Sequence, residues 1–436
     1  MTGLADRLRD LEEAVGPSNL LTATEAVSQY RLDGQQPLAI ATPGTPEEVG
    51  AVLRRAADSG LSVLLRGAGR HLHIGAPPGP IGLIVSLARL SRILDFDHEN
   101  LTITAQAGAT LASLQQAAAQ RTQMLPLDQP GGDDATIGGI AATNLSGPLR
   151  SRYGPPRDLI IGLRVALSDG AVVKMGGKTV KNVAGYELTK LFVGSWGTLG
   201  ALCEVTVRLT PLPEMKAMLA AALPAERARE AARELLSSRL EVACLTICDT
   251  LALGRMRLHL PITADAGTQV LLAGLMGDRA AVERQAADLK RMLPTAALLT
   301  GEPSDAAWRA IRECAYPRDA ADVVARAGVP LAESAQLLQL AARLQGWWAL
   351  AQVGDGIVHI GASSGASPDA IVAGLRELRR AAEAVGGYAV IESAPVDLKR
   401  SLGVWSASAN TDLMRRLKDS YDPRGTLGCG RYLPGL

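Results

Sequence analysis

The sequence predicts an α+β protein: a cofactor-binding module of two α/β subdomains, then an α+β cap domain and a short C-terminal segment that returns to the module. Three observations carry this expectation. Glycine-rich stretches cover residues 67–75 and 130–160 and start again at Gly176, each following a strand-like run. Pro211 and Pro213 then break the chain, and the glycine loops stop. Beyond them, residues 214–395 alternate helical and strand patterns, as a separate α+β unit would. The expected domains are therefore 1–213, 214–395 and 396–436.

The elements follow in chain order. Thr45 with Glu48 three residues on caps a helix that ends near Gly60. The run 61–66 is a strand that delivers the chain into the first glycine loop, whose Gly and Pro content suits neither helix nor strand interior. Two strands flank a turn at 97–100, and a helix starts near Thr110. Asp169-Gly170 predicts a hairpin with a tight two-residue turn. In the cap, helices are expected over 225–239 and 278–293, and strands over 242–248, 269–277, 347–354 and 356–363. A final helix and a Gly/Pro-rich coil form the tail.

Composition narrows function. The 436 residues carry 45 basic and 44 acidic side chains, a net charge of +1, which leaves no electrostatic footprint for nucleic acid. The five cysteines (Cys203, Cys244, Cys248, Cys314 and Cys429) are odd in number and scattered, unlike a disulfide framework. With a charged amphipathic N-terminal helix and no long apolar run, the expected location is cytoplasmic, or peripheral at the inner face of the cell membrane through partners only.

Loops of this kind present backbone N–H groups that form anion-binding concavities, so a phosphate-containing cofactor is the expected occupant. Gly67-Ala68-Gly69 does not continue as a Rossmann fingerprint, because Leu72 stands where the third glycine is due. No Gly-Lys-Ser/Thr closes it as a P-loop, and no nucleophile elbow or paired-carboxylate motif suggests hydrolysis.

The segments RGAGRHLHIG, GGDDATIGGIAATNLSGPLRSRYGPPRDLIIG and KNVAGYELTKLFVGSWGTLGALCEVTVRLTPLP occur in this order over residues 38–213. Together they resemble the PCMH-type FAD-binding domain of the vanillyl-alcohol oxidase and p-cresol methylhydroxylase family. The run LSGPLRSRYGPPRDLIIG and the tail LKDSYDPRGTLGCGRYLPG are most similar to the FAD-binding subunit of glycolate oxidase.

The resemblance implies FAD, and it implies which residues hold it. Arg66, Gly67, Ala68, Gly69, Arg70, His71 and Gly75 would wrap the pyrophosphate. Gly131 and Gly132 lead into Thr136, Ile137, Gly138, Gly139, Ala142, Thr143 and Asn144, which with Ser146 and Gly147 would follow the pyrophosphate and ribityl chain. Tyr153 and Gly154 join the same set. Lys181, Asn182, Gly185 and Tyr186 would approach the flavin ring, and Gly200 and Leu202 the adenine. Gly138, Gly139 and Gly147 also suit plain turns, and Tyr153, Arg157 and Tyr186 plain packing. Some relatives anchor FAD through a histidine where Arg70 stands here; His71 is out of that register, so non-covalent FAD is expected.

The resemblance further implies a small 2-hydroxy acid as substrate, hydride transfer to flavin N5, and electrons passed to an iron–sulfur partner, since this chain has no cluster-binding cysteine set. A second flavoprotein subunit is a further implied partner. Metal-dependent relatives carry His-x-Gly-Asp-Gly-Asn-x-His and Glu-His-Gly segments. Here the first has Gln352 for its first histidine and Ile357 for the asparagine, keeping His359 as its one histidine, and the second reads Glu392-Ser393-Ala394, so no metal site is expected.

His359 then reads as a satisfied core histidine, and Cys244 and Cys248 as two residues on one side of a strand without partner ligands. Cys429 reads as structural. Lys181, Arg431 or an arginine of the second domain would hold the substrate carboxylate. The base is not identifiable. Two other readings stay open: a non-catalytic FAD electron-transfer subunit, and a stand-alone FAD alcohol oxidase.

Overall fold

The computed structural model describes residues 3–178, 187–265, 267–362 and 366–433. Lys181, Asn182, Gly185 and Tyr186 lie outside the described residues. The first subdomain is a sheet in the order Leu20–Leu21, Ala39–Ala41, Leu83–Ser86, Val63–Arg66, parallel except at its first pair. Helix Pro46–Asp58 covers it and starts as the sequence predicts. Thr45 Oγ1 accepts the Glu48 N–H at 3.1 Å, Glu48 Oε2 accepts the Gly44 N–H at 2.7 Å, and Val49, Val52, Leu53 and Ala56 form its buried stripe.

The second subdomain is an antiparallel sheet in the order Ile93–Asp97, Thr102–Gln106, Ala201–Arg208, Ile160–Ala166, Val172–Gly176. Helix Leu111–Ala119, capped by Thr110, and helix Ile137–Thr143 pack on it. The Asp169-Gly170 hairpin differs from expectation. Leu167 and Ala171 still exchange a hydrogen bond (2.8 Å), leaving a three-residue loop with Gly170 at φ 90. A glycine closing such a loop at positive φ is the bulged alternative to the two-residue turn.

The cap is an eight-stranded antiparallel sheet in the order Ala297–Thr300, Met215–Pro224, Thr268–Gly277, Cys244–Cys248, Trp347–Gln352, Ile357–Ala362, Val323–Gly328, Tyr388–Ser393. Four of these strands, 215–224, 297–300, 323–328 and 388–393, are absent from the sequence expectation. Alternation along each strand divides the sheet. Trp347, Ala349 and Ala351, with Val358 and Ile360, face a layer that includes helices Ala225–Leu236, Arg279–Met292, Leu331–Arg343 and Pro368–Ala384. Trp348, Leu350, Cys244 and Cys248 face the other way, against helix Glu302–Glu313 and against Leu149 and Tyr153 of the second subdomain. The two cysteines thus share one side. Burial pushes the Cys244 and Cys314 thiols up to about 12, so they are inert packing groups.

The tail completes the first sheet. The Val63 N–H donates to Thr426 O (2.7 Å) and the Gly428 N–H to Val63 O (3.0 Å), which lays Leu427 parallel to Val63. The last lining segment is therefore fixed beside the strand that feeds the first glycine loop.

Candidate functional site

A cleft of about 980 Å³ opens between the two subdomains of the module. Its floor exists because glycines let the two loops touch. A Cβ on Gly67 would stand 2.2 Å from Thr136 Oγ1, and one on Gly138 2.6 Å from the Ala107 methyl. Thr136 Oγ1 accepts the Gly139 N–H (3.3 Å), turning the chain so that Gly138, Gly139, Ala142 and Thr143 line the cleft. The opposite wall is Arg66, Gly67, Ala68, Gly69, Arg70 and His71, and Gly200 and Leu202 close one end. Thirteen of the sequence-predicted cofactor residues, all those just named with Thr136, are thus brought together.

Others are not. Ile137 is fully buried in the core of the second subdomain, on the far side of its helix. Asn144 takes φ 54 to end that helix, and its Oδ1 accepts the Arg157 N–H at 2.9 Å. Ser146 lies off the cleft, and Gly147 donates to Asp128 at 3.1 Å. Gly75 sits under Arg431. Gly131 donates to Glu313 of the cap (2.9 Å) and has Tyr316 where a Cβ would be; its neighbour Gly132 takes φ 84 beside Asp134. Tyr153 packs on Met276, and Gly154 ends a short helix at φ 82. Of these, Gly131 and Tyr153 serve the joint between module and cap.

Residues the sequence reading missed also line the cleft: Leu64, Leu65, Leu72, Ile74, Leu87, Ala107, Ala135, Trp196, Gly197, Thr198, Gly428 and Tyr432. Trp196 is the informative one. It holds φ 55, unusual for so bulky a residue, between Gly194 and Gly197, and meets Trp405 edge to face with centroids 5.3 Å apart. A tryptophan flanked by glycines within the third loop was the available signal.

Arg431, expected to hold a substrate carboxylate, is committed elsewhere. Its Nη2 donates to Leu72 O (2.5 Å) and Ile74 O (2.8 Å), and its Nη1 lies 3.4 Å from Asp33. It clamps the first loop against the tail. Asp33, strained at φ 47, also faces Lys399 at 3.8 Å, and Lys399 donates to His73 O at 2.6 Å. His71 Nε2 donates to Pro130 O (2.8 Å), and burial holds its pKa below the usual value.

A second cleft, of about 1130 Å³, shares Arg66, Gly69, Arg70 and Leu72 with the first, continues along His73 and reaches the cap at Tyr316 and Ser393. Behind it lies a buried polar cluster on the sheet face turned from the helical layer. Arg326 pairs directly with His359 across adjacent strands, and the register slips between Val324 and Ala325, so that Glu392 is the extra residue of a β-bulge.

Arg326 Nε donates to Glu392 Oε1 (2.6 Å) and Nη1 to Tyr388 Oη (2.9 Å). Burial alone would raise the Glu392 pKa, but Arg326 and then His359 outweigh it, so the group stays below the usual carboxylate range. His359 Nδ1 is 3.9 Å from Glu392 Oε2, buried and without a hydrogen-bond partner among the described residues, which corrects the expectation of a satisfied core histidine. Burial lowers the His359 pKa to about 4, so the ring is neutral near pH 7.

The comparisons agree with this geometry. Residues 37–176 match the FAD binding domain family. The chain is 27% identical to glycolate oxidase subunit GlcD of Bacillus subtilis (strain 168), over 98% of this chain and 96% of that protein. It is 34% identical to a D-lactate dehydrogenase of Archaeoglobus fulgidus over 50% of this chain, spanning about half (48%) of that relative. Identity to glycolate oxidase subunit GlcE of Escherichia coli (strain K12) is 41%, over 28% of this chain and 35% of that subunit. The crystal structure of p-cresol methylhydroxylase with substrate bound superposes with a TM-score of 0.76 at 16% identity, covering 98% of both chains, and so shares the fold.

The glycine cradle suits the group these relatives imply: close-approaching backbone at Gly67 and Gly138, and an apolar length toward Leu202 and Trp196. Among the described residues no helix is long and apolar enough to cross a membrane. Residues 37–176 thus carry an FAD binding domain, the chain has the fold of p-cresol methylhydroxylase, and over nearly its whole length it is similar to a glycolate oxidase subunit.

Proposed function

We propose that this chain oxidises a small 2-hydroxy acid of the glycolate or D-lactate type, as the flavoprotein subunit of a complex. The observation that carries the reading is the cap cluster Arg326–Glu392–His359 behind the cleft that adjoins the cofactor cleft. The names of the relatives GlcD and D-lactate dehydrogenase support it.

In this reading the backbone of residues 66–71 and 136–143 holds the FAD pyrophosphate and ribityl chain, non-covalently, and Gly200 and Leu202 adjoin the adenine. When bound, the flavin supplies the hydride acceptor. Arg326 is the second-domain arginine that receives the substrate carboxylate, through the Nη2 that has no partner among the described residues. His359 takes the hydroxyl proton at Nδ1, and Glu392 stabilises the resulting imidazolium. Because Gln352 and Ser393 replace two of the metal-binding histidines of metal-dependent relatives, we assign proton removal to His359 without a metal.

Electrons then pass to an iron–sulfur partner. Similarity to both GlcD and GlcE supports a second flavoprotein subunit in the same complex. The test is an anaerobic absorbance spectrum of the FAD-loaded chain before and after adding glycolate or D-lactate. Bleaching of the oxidised flavin band is expected. An unchanged band would make the chain an electron-relay subunit, and hydrogen peroxide formed in air by the lone chain would make it an oxidase.

A further inference from the structure

The first glycine loop uses its acceptors within the protein and leaves its donors free. Gly69 O accepts the Leu72 N–H (3.2 Å), His71 O accepts the Ile74 N–H (3.1 Å), Arg431 Nη2 reaches Leu72 O and Ile74 O, and Lys399 Nζ reaches His73 O. The one carbonyl left in this run, Arg70 O, accepts from Tyr316 Oη of the cap at 2.9 Å. By contrast the N–H groups of residues 67–71 have no hydrogen-bond partner among the described residues. Such a row of free backbone donors is an anion-binding concavity.

The Tyr316 contact falls on the peptide that the loop itself leaves loose. The bond between Leu72 and Gly69 closes a turn whose middle peptide joins Arg70 to His71, and a turn's own bond uses neither group of that peptide. A trans peptide, as this one is, points its C=O and its N–H in opposite directions. With Arg70 O turned to Tyr316, the His71 N–H faces away from Tyr316. Tyr316 lines the second cleft and not the cofactor cleft, whereas His71 lines the cofactor cleft and not the second. The tyrosine is itself well held: its ring meets His73 edge to face with centroids 5.3 Å apart, and it lies 2.7 Å from where a Cβ on Gly131 would stand.

We propose that Tyr316 is a positioning residue for the cofactor pyrophosphate. Its hydroxyl fixes the Arg70–His71 peptide so that the His71 N–H joins the row of donors on the cofactor side of the loop. The assignment rests on the reading that residues 66–71 hold the pyrophosphate, and not on the choice of substrate. Because the hydroxyl belongs to the cap, affinity for the cofactor depends on the docking of the cap, and linkage makes the cofactor tighten that docking by the same factor.

The experiment measures binding of FAD, ADP and adenosine to the apoprotein in wild type, Tyr316→Phe and Tyr316→Leu, FAD by quenching of flavin fluorescence and the other two by calorimetry. ADP carries the pyrophosphate without the flavin, and adenosine lacks both. Tyr316→Phe, which removes the hydroxyl and keeps the ring, is expected to weaken FAD and ADP alike by about three- to tenfold. Adenosine binding and the melting temperature of the apoprotein should stay as in wild type. Tyr316→Leu should weaken FAD and ADP at least as much. FAD and ADP binding by Tyr316→Phe equal to wild type would show that the hydroxyl does not act on the loop, and adenosine weakened as much as ADP would make the loss a general one; either result overturns the assignment. In wild type, ADP bound no tighter than adenosine would overturn the pyrophosphate reading itself.

Discussion

Lys418 and Asp422, one helical turn apart, form an ion pair sealed from solvent, with Nζ to Oδ2 at 2.5 Å and side-chain exposures of 8% and 0%. The same Nζ donates to Thr198 O and Leu427 O, both at 2.9 Å, while the Asp422 carboxylate accepts the N–H groups of Thr426 and Leu427. One charge pair thus ties the last helix, the third glycine segment and the returning tail together. In Lys418→Met the carboxylate stays buried without its counter-charge. Such losses cost about 3–5 kcal/mol. The variant should melt several degrees lower and lose FAD on gel filtration, as checked by calorimetry and the absorbance ratio of the eluted protein.

Attachment of the flavin is open to a simple check. His71 donates to Pro130 O and is buried, and Arg70, which stands where some relatives carry the anchoring histidine, is paired with Asp134. Acid precipitation of the yellow protein should give a colourless pellet and release all FAD into the supernatant. A yellow pellet would indicate a covalent link.

Stability should depend on pH through buried carboxylates. Burial raises Asp355 to about 7 and Asp128 to about 6, from the usual 3.8. The folded state binds these protons more tightly than the unfolded chain does. Their contribution to stability is therefore greatest at the acid end of the window, falls as pH rises from about 4 to 7, and then levels off. Asp355 Oδ2 also has no hydrogen-bond partner among the described residues. Asp355→Asn should flatten the upper part of that fall and raise the melting temperature at about pH 8. Equal melting curves for both proteins across the range would refute the account.

The cap cluster gives a kinetic prediction. Arg326→Lys keeps the charge but cannot reproduce the fork that meets Glu392, Tyr388 and a carboxylate together. Under the proposed function, kcat/KM for the hydroxy acid should fall about 10- to 100-fold, with FAD affinity unchanged. Stopped-flow reduction of the bound flavin reads the first quantity and fluorescence titration the second.

How much of this was legible in the sequence varies by region, for physical reasons. Thr45 with Glu48, and Thr110, announced their helices because caps are local chemistry. Gly67 and Gly138 announced the cleft because a Cβ at either position would collide with the facing loop. The strand Met215–Pro224 did not announce itself: MKAMLAAALP is covered on both faces, so it lacks alternation and is rich in alanine, as a buried helix would be. Gly131 misled because its glycine is required by Tyr316 of the cap. Glu392 and Arg326 lie 66 residues apart, and no spacing rule predicts a bulge that joins them.

The hydrogen bonds between Val63, Thr426 and Gly428 have a consequence for biosynthesis. Strand Val63–Arg66 leaves the ribosome early, but the backbone that pairs with its edge, and the Arg431 clamp on the loop it feeds, are made some 360 residues later. A nascent chain can assemble the rest of its cofactor module before that wall exists. The cleft is therefore complete only once residues 426–431 are in place, and a fusion that strains them should accumulate as colourless, folded protein.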